Sequence, residues 1–106
     1  CIGRILDALA RSQRLDSTCV LVSADHGGAG RTHGPDDPRS RNIPWIIAGP
    51  GIRRNFDLTT VGDLVVRTED TFATLCTLLE LSPPAATVGR LVPQIFEGSA
   101  SAGERR

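Results

Sequence analysis

The apolar positions of this chain change period several times along its length. Over residues 1–13, Ile2, Ile5, Leu6 and Leu9 recur at helical spacing, with Arg4, Asp7, Arg11 and Arg14 mostly on the other side. That pattern predicts an amphipathic helix. At 18–23 the run Thr-Cys-Val-Leu-Val-Ser is continuous, short and rich in β-branched types. Such a run predicts a strand covered on both faces, as in a parallel sheet. Residues 24–42 are polar and glycine-rich, with Pro35 and Pro38, and predict a long loop. Ile43–Ala48 predicts a second strand, closed by a turn at Gly49-Pro50-Gly51.

Residues 52–64 are weakly patterned, and Val65 and Val66 read as extended. Thr68 suits a helix N-cap, and Glu69 and Asp70 suit the positive end of the helix dipole. The predicted helix runs to about Leu81, buries Phe72, Leu75, Cys76, Leu78 and Leu79, and is stopped by Pro83-Pro84. Leu91–Phe96 is a short apolar segment that could pack on that helix. Alternating helix and strand give an α/β fold. Residues 1–98 read as one structured region, and 99–106 have the composition of a tail.

Composition narrows the function classes. Twelve basic and twelve acidic residues cancel, which removes the electrostatic footprint expected of a nucleic-acid partner. Every basic residue is Arg, so lysine Schiff-base chemistry and lysine phosphate loops are excluded. Cys1, Cys19 and Cys76 lack metal-type spacing, and Cys19 and Cys76 read as buried small hydrophobes. No run approaches the ~18 apolar residues of a membrane span. With 106 residues, no methionine and Cys1 at the start, the chain reads as a processed product or a piece of something longer. Compartment is left open.

The segment richest in chemistry is Ser23-Ala-Asp25-His26-Gly-Gly-Ala-Gly-Arg31-Thr-His33-Gly34. It begins where the predicted buried strand ends, the usual place for ligands in open α/β sheets. A carboxylate next to an imidazole suits Zn²⁺, Fe or Mn²⁺. Glycines at 27, 28 and 30 can adopt positive φ and fold His33 back toward that pair. Asp25, His26 and His33 are therefore the candidate metal ligands. Arg31 is a candidate contact for an anionic substrate. A carboxylate and an imidazole in a glycine-rich turn are also ordinary turn chemistry. A dinucleotide loop fits poorly, because prolines and not a helix follow the glycines.

Several blocks then fall into a familiar order: Ala-Asp-His-Gly-Gly at 24–28, His33-Gly34, Ile43-Pro-Trp-Ile-Ile47 with Gly49-Pro-Gly51, Glu69-Asp-Thr-Phe-Ala-Thr-Leu75, and Gly89-Arg90. In that order they resemble the C-terminal part of the alkaline phosphatase superfamily. The type I phosphodiesterase/nucleotide pyrophosphatase branch looks most similar, and sulfatases are similar in the same segments. The resemblance implies the C-terminal part of an α/β/α sandwich with mainly parallel strands. It also implies two divalent metal ions in the parent protein: zinc first, manganese or iron next, calcium if the parent is a sulfatase. Asp25 and His26 would hold one ion and His33 the other.

The implied substrate is a small phosphate mono- or diester, with a sulfate ester as the alternative. The implied partner of this region is the rest of the parent domain. The family's nucleophile lies on an earlier strand-to-helix junction, so no catalytic residue is assigned within this chain, which alone is expected to be inactive. A non-catalytic truncated or structural piece is the remaining alternative.

Overall fold

The computed structural model describes residues 1–99; most of the expected 99–106 tail lies outside the described residues. In chain order the elements are α1 (Ile2–Arg11), β1 (Val20–Ser23), α2 (Pro38–Arg41), β2 (Trp45–Ala48) and α3 (Thr68–Leu78). Single 3₁₀ turns lie at Leu15–Ser17, Leu58–Thr60 and Pro93–Ile95. The result is a small mixed α/β arrangement, divided into a unit over Cys1–Arg54 and a unit from Asn55 onward.

In the first unit β1 and β2 pair antiparallel, with Val20 opposite Ala48, Leu21 opposite Ile47, Val22 opposite Ile46 and Ser23 opposite Trp45. This corrects the parallel expectation for these two strands; among the described residues they form a two-stranded sheet, not a parallel sandwich. A continuous apolar run is common in parallel strands but reports burial, and does not by itself fix strand direction. β2 does show the half-buried alternation common in antiparallel sheets: Trp45 and Ile47 are half-buried, whereas Ile46 and Ala48 are exposed. The expected loop over 24–42 is also interrupted. Asp37 caps the four-residue α2, accepting the Arg39 N–H on Oδ1 at 2.9 Å, and Pro38 occupies the first turn. Asp-Pro is the N-cap and first-position signature of a helix start, and here it prevails over the loop composition around it.

The second unit is built around α3. Asp70 accepts the Arg67 N–H at 2.8 Å and the Arg90 N–H at 2.8 Å, so one carboxylate ties the helix start to the returning chain. Gly89 fits there because it has no side chain; a Cβ would overlap the Glu69 carbonyl oxygen. Four residues on, Thr74 is fully buried and its Oγ1 accepts the Val92 N–H at 3.2 Å. Ala73, Cys76, Val92 and Ile95 complete the buried set. Within Leu91–Phe96 it is Val92 that meets the helix, at Thr74, while Leu91 stays exposed.

The buried face of α3 differs from the expected one. Phe72 and Leu79 are 51% and 68% exposed, and Leu75 is also exposed. Ala73 and Thr74 face inward instead, and the Val92 N–H meets the Thr74 hydroxyl oxygen, an acceptor that an apolar side chain lacks. The N-cap is Arg67 and not Thr68. The helix ends at Leu78, short of Leu81, in a local hydrogen-bonded closure that needs no proline. The Glu80 N–H donates to Thr77 at 3.0 Å and the Leu81 N–H to Cys76 at 2.8 Å, with Glu80 left-handed at φ 56°. This is a Schellman closure. Val65 and Val66 belong to no strand among the described residues. Cys76 is buried as expected, whereas Cys19 is exposed beside β1, with enough chain around its sulfur to push the thiol above its ordinary value.

Candidate metal centre

β1 delivers the candidate residues. Its last member, Ser23, donates its hydroxyl to the Pro44 carbonyl at 3.0 Å, fixing the strand end against the entry to β2. Two residues on, the Asp25 carboxylate accepts the His26 backbone N–H on Oδ1 at 2.9 Å. Its other oxygen lies 3.6 Å from His26 Nε2. Asp25 is almost fully open to solvent and His26 about half so, with side-chain exposures of 88% and 47%. Nδ1 of His26 lies 2.6 Å from the Gly27 carbonyl oxygen.

His33 returns to this pair through a tight turn. Ala29 and Thr32 exchange both backbone hydrogen bonds, at 2.8 and 3.0 Å, and the Thr32 hydroxyl adds a third to the Ala29 carbonyl. Gly30 takes φ +59° at the first central position, the residue type such a turn requires there. Of the three glycines expected to bend this loop, Gly30 alone does so by positive φ. Gly27 serves by having no Cβ, since one would overlap the Arg39 carbonyl oxygen in α2. Once turned, the His33 ring stacks on His26 with centroids 4.2 Å apart and planes 9° from parallel. Arg31 is exposed at the turn's tip.

The structure therefore brings Asp25, His26 and His33 to one place. Their donor set, a carboxylate and two imidazoles, fits zinc, manganese or iron in kind. Among the described residues, however, no three His, Cys, Asp or Glu side chains are arranged to hold a single ion. The stacking supplies a reason. An imidazole lone pair lies in its ring plane, and two nearly parallel planes do not converge on one point.

The part missing from the sequence reading is α2. Asp37 and Arg39 read as loop surface, yet Arg39 donates Nε and Nη2 to the two Asp37 oxygens at 3.1 and 2.8 Å. That pairing, with the Arg39 N–H, holds the Asp37 carboxyl below the usual carboxylate range. Ser40, buried within α2, offers its carbonyl to the Gly27 N–H at 2.7 Å. The Asp37-Pro38 pair was the available signal.

Comparison with known proteins adds two relatives. The chain is 34% identical over 101 residues to a 2,3-bisphosphoglycerate-independent phosphoglycerate mutase of Parasynechococcus marenigrum, matching 85% of this chain and 17% of that protein. It is 34% identical over 70 residues to a choline-sulfatase of Rhizobium meliloti, matching 61% of this chain and 14% of that protein. Both relatives are enzymes of the alkaline phosphatase superfamily. The chain spans less than one fifth of the length of either. No family model matches the chain, and no solved structure does.

Proposed function

We propose that this chain forms part of a metal-dependent enzyme of the alkaline phosphatase superfamily that hydrolyses or transfers a phosphate ester. The observation that carries this reading is the convergence of Asp25, His26 and His33 at the end of β1, with the two imidazoles face to face. Parallel ring planes suit two ions side by side better than one shared ion. Asp25 and His26 would hold one, and His33 the other. Bound there, a pair of divalent ions supplies charge stabilisation to the transferred group and activation of a nucleophile. The chain's own share is to present ligands from a strand end braced by α2. Arg31, on the turn between the two histidines, would reach an anionic substrate from the exposed side.

Two nitrogen ligands favour a transition metal over calcium. The mutase relative, matched over the greater part of this chain, supports phosphate chemistry. A sulfatase is the second reading, favoured by the choline-sulfatase match.

The test is metal stoichiometry by equilibrium dialysis with zinc or manganese, on the chain and on Asp25→Ala and His26→Ala. The ion assigned to Asp25 and His26 should bind the unaltered chain and be lost or weakened at least ~100-fold in either variant, more than the ~10–100-fold typical of outer supporting residues. Equal binding in all three would overturn the ligand assignment. In the whole protein, turnover of an aryl phosphate against an aryl sulfate separates the two readings.

A further inference from the structure

We propose that α2, capped by Asp37, sets which ring nitrogen of His26 faces the candidate centre, which makes Asp37 a positioning residue for that imidazole. The proposal rests on the metal reading for its purpose, but its geometry stands separately. The Gly27 carbonyl can only accept a hydrogen bond, so the 2.6 Å contact from His26 Nδ1 requires the proton to be on Nδ1. In the neutral ring Nε2 then keeps its lone pair, with Asp25 Oδ2 3.6 Å away. A backbone carbonyl on one ring nitrogen commonly decides which nitrogen meets a metal.

That carbonyl is itself held in place. The Gly27 N–H donates to the Ser40 carbonyl at 2.7 Å, and Gly27 lies too close to the Arg39 and Asn42 carbonyls to carry a side chain. The position of Gly27 is therefore the position of α2. A four-residue helix has no independent stability, because its first turn costs more order than its few hydrogen bonds return. Asp37 provides the missing hold. Its Oδ1 takes the Arg39 N–H at 2.9 Å, both its oxygens take the Arg39 guanidinium, and its own carbonyl accepts the Ser40 N–H at 2.9 Å. The line of support runs from Asp37 through α2 to Ser40, from Ser40 to Gly27, and from Gly27 to His26. It crosses from a surface carboxylate to a candidate ligand without touching the metal position.

The test reads the ring nitrogens of ¹⁵N-histidine-labelled chain by long-range ¹H–¹⁵N correlation, at about pH 8.5, well above the ordinary imidazole value near ~6.5. In the unaltered chain His26 should carry its proton on Nδ1. Asp37→Ala should shift it toward the Nε2–H form, and Gly27→Ala should do the same by displacing the carbonyl. Asp37→Asn should keep the original form, because Asn caps a helix about as well as Asp. If Asp37→Ala fails to fold, Pro38→Gly loosens the first turn of α2 and takes its place. Zinc titration of the same variants should show affinity lower by ~10–100-fold for Asp37→Ala and restored in Asp37→Asn.

An Nε2–H ring in the unaltered chain would overturn the proposal. So would an unchanged ring in Asp37→Ala once the α2 amide signals have lost their dispersion. If zinc binds none of the proteins while the ring form still follows Asp37, the metal reading fails and the positioning role stands.

Discussion

The rings of His26 and His33 lie face to face, 4.2 Å between centroids and 9° from parallel, although seven positions separate them in sequence. The turn that closes the gap runs from Ala29 to Thr32 and pivots on Gly30. Because the lone pairs of stacked rings run side by side, the two imidazoles should not bind a cation as a chelating pair. His33→Ala should therefore remove one ion and leave binding at Asp25 and His26 within a few-fold. Calorimetric titration with zinc checks this. Loss of all binding on removing His33 would mean that the two rings share one ion and that the stack opens to receive it.

Gly30→Val should loosen the same turn. Valine is poorly tolerated at positive φ, so the cost should be about 1–2 kcal/mol. The expected signature is specific: loss of the ring-current shifts that each histidine imposes on the other, with the β1–β2 amide pattern retained. A variant with unchanged ring signals would show that the stack does not depend on this turn.

Asp70 holds the second unit together at one point, accepting the Arg67 and Arg90 amides from opposite sides at 2.8 Å each. Asp70→Ala would leave both donors without their acceptor in a buried setting, at about 1–3 kcal/mol for each group not rescued by water. Gly89→Ala would force a methyl into the Glu69 carbonyl and cost about 1–3 kcal/mol by overpacking, or more if the backbone cannot move. Urea midpoints of the two variants, with unchanged slope, should both fall. An Asp70→Ala midpoint equal to that of the unaltered chain would remove the carboxylate from this role.

Glu80 offers a change in the other direction. It closes α3 in the left-handed region at φ 56°, where a side chain is strained and glycine is not. Its own side chain is exposed. Glu80→Gly should raise stability by about 1 kcal/mol, net of the added freedom of the unfolded chain. Thermal unfolding followed by circular dichroism is sufficient to detect this. A lower midpoint would mean that the glutamate makes a contribution beyond its backbone angle.

The cap of α2 should be acid-sensitive. The side-chain and backbone hydrogen bonds from Arg39 hold the Asp37 carboxyl below its ordinary value in the folded chain. A depressed folded value means that the contribution is fully present above the unfolded carboxylate value, near ~3.9, and is lost as pH falls through the lower folded value. The Arg39 amide signal should therefore move only below about pH 4. In Asp37→Asn, which has no proton to gain, it should stay in place. Movement of that signal between pH 5 and 7 would assign the change to another group.

Local residue types were enough to determine where most elements of this protein lie. The spacing of Ile2, Ile5, Leu6 and Leu9 marks α1, the β-branched run at 18–23 marks β1, and Asp25, His26 and His33 stand out as ligand-type side chains around glycines. These features depend on periodicity and on side-chain chemistry, both of which are written residue by residue. The tertiary structure decided what depends on distant partners. It set the antiparallel direction of β1 against β2, because an apolar run reports burial and does not by itself fix strand direction. It turned Ala73 and Thr74 inward in place of Phe72 and Leu79, where the Val92 N–H finds the Thr74 hydroxyl oxygen, an acceptor that no apolar side chain offers. And it joined Asp37 to His26 through Ser40 and Gly27, a line of backbone contacts that no side-chain pattern records.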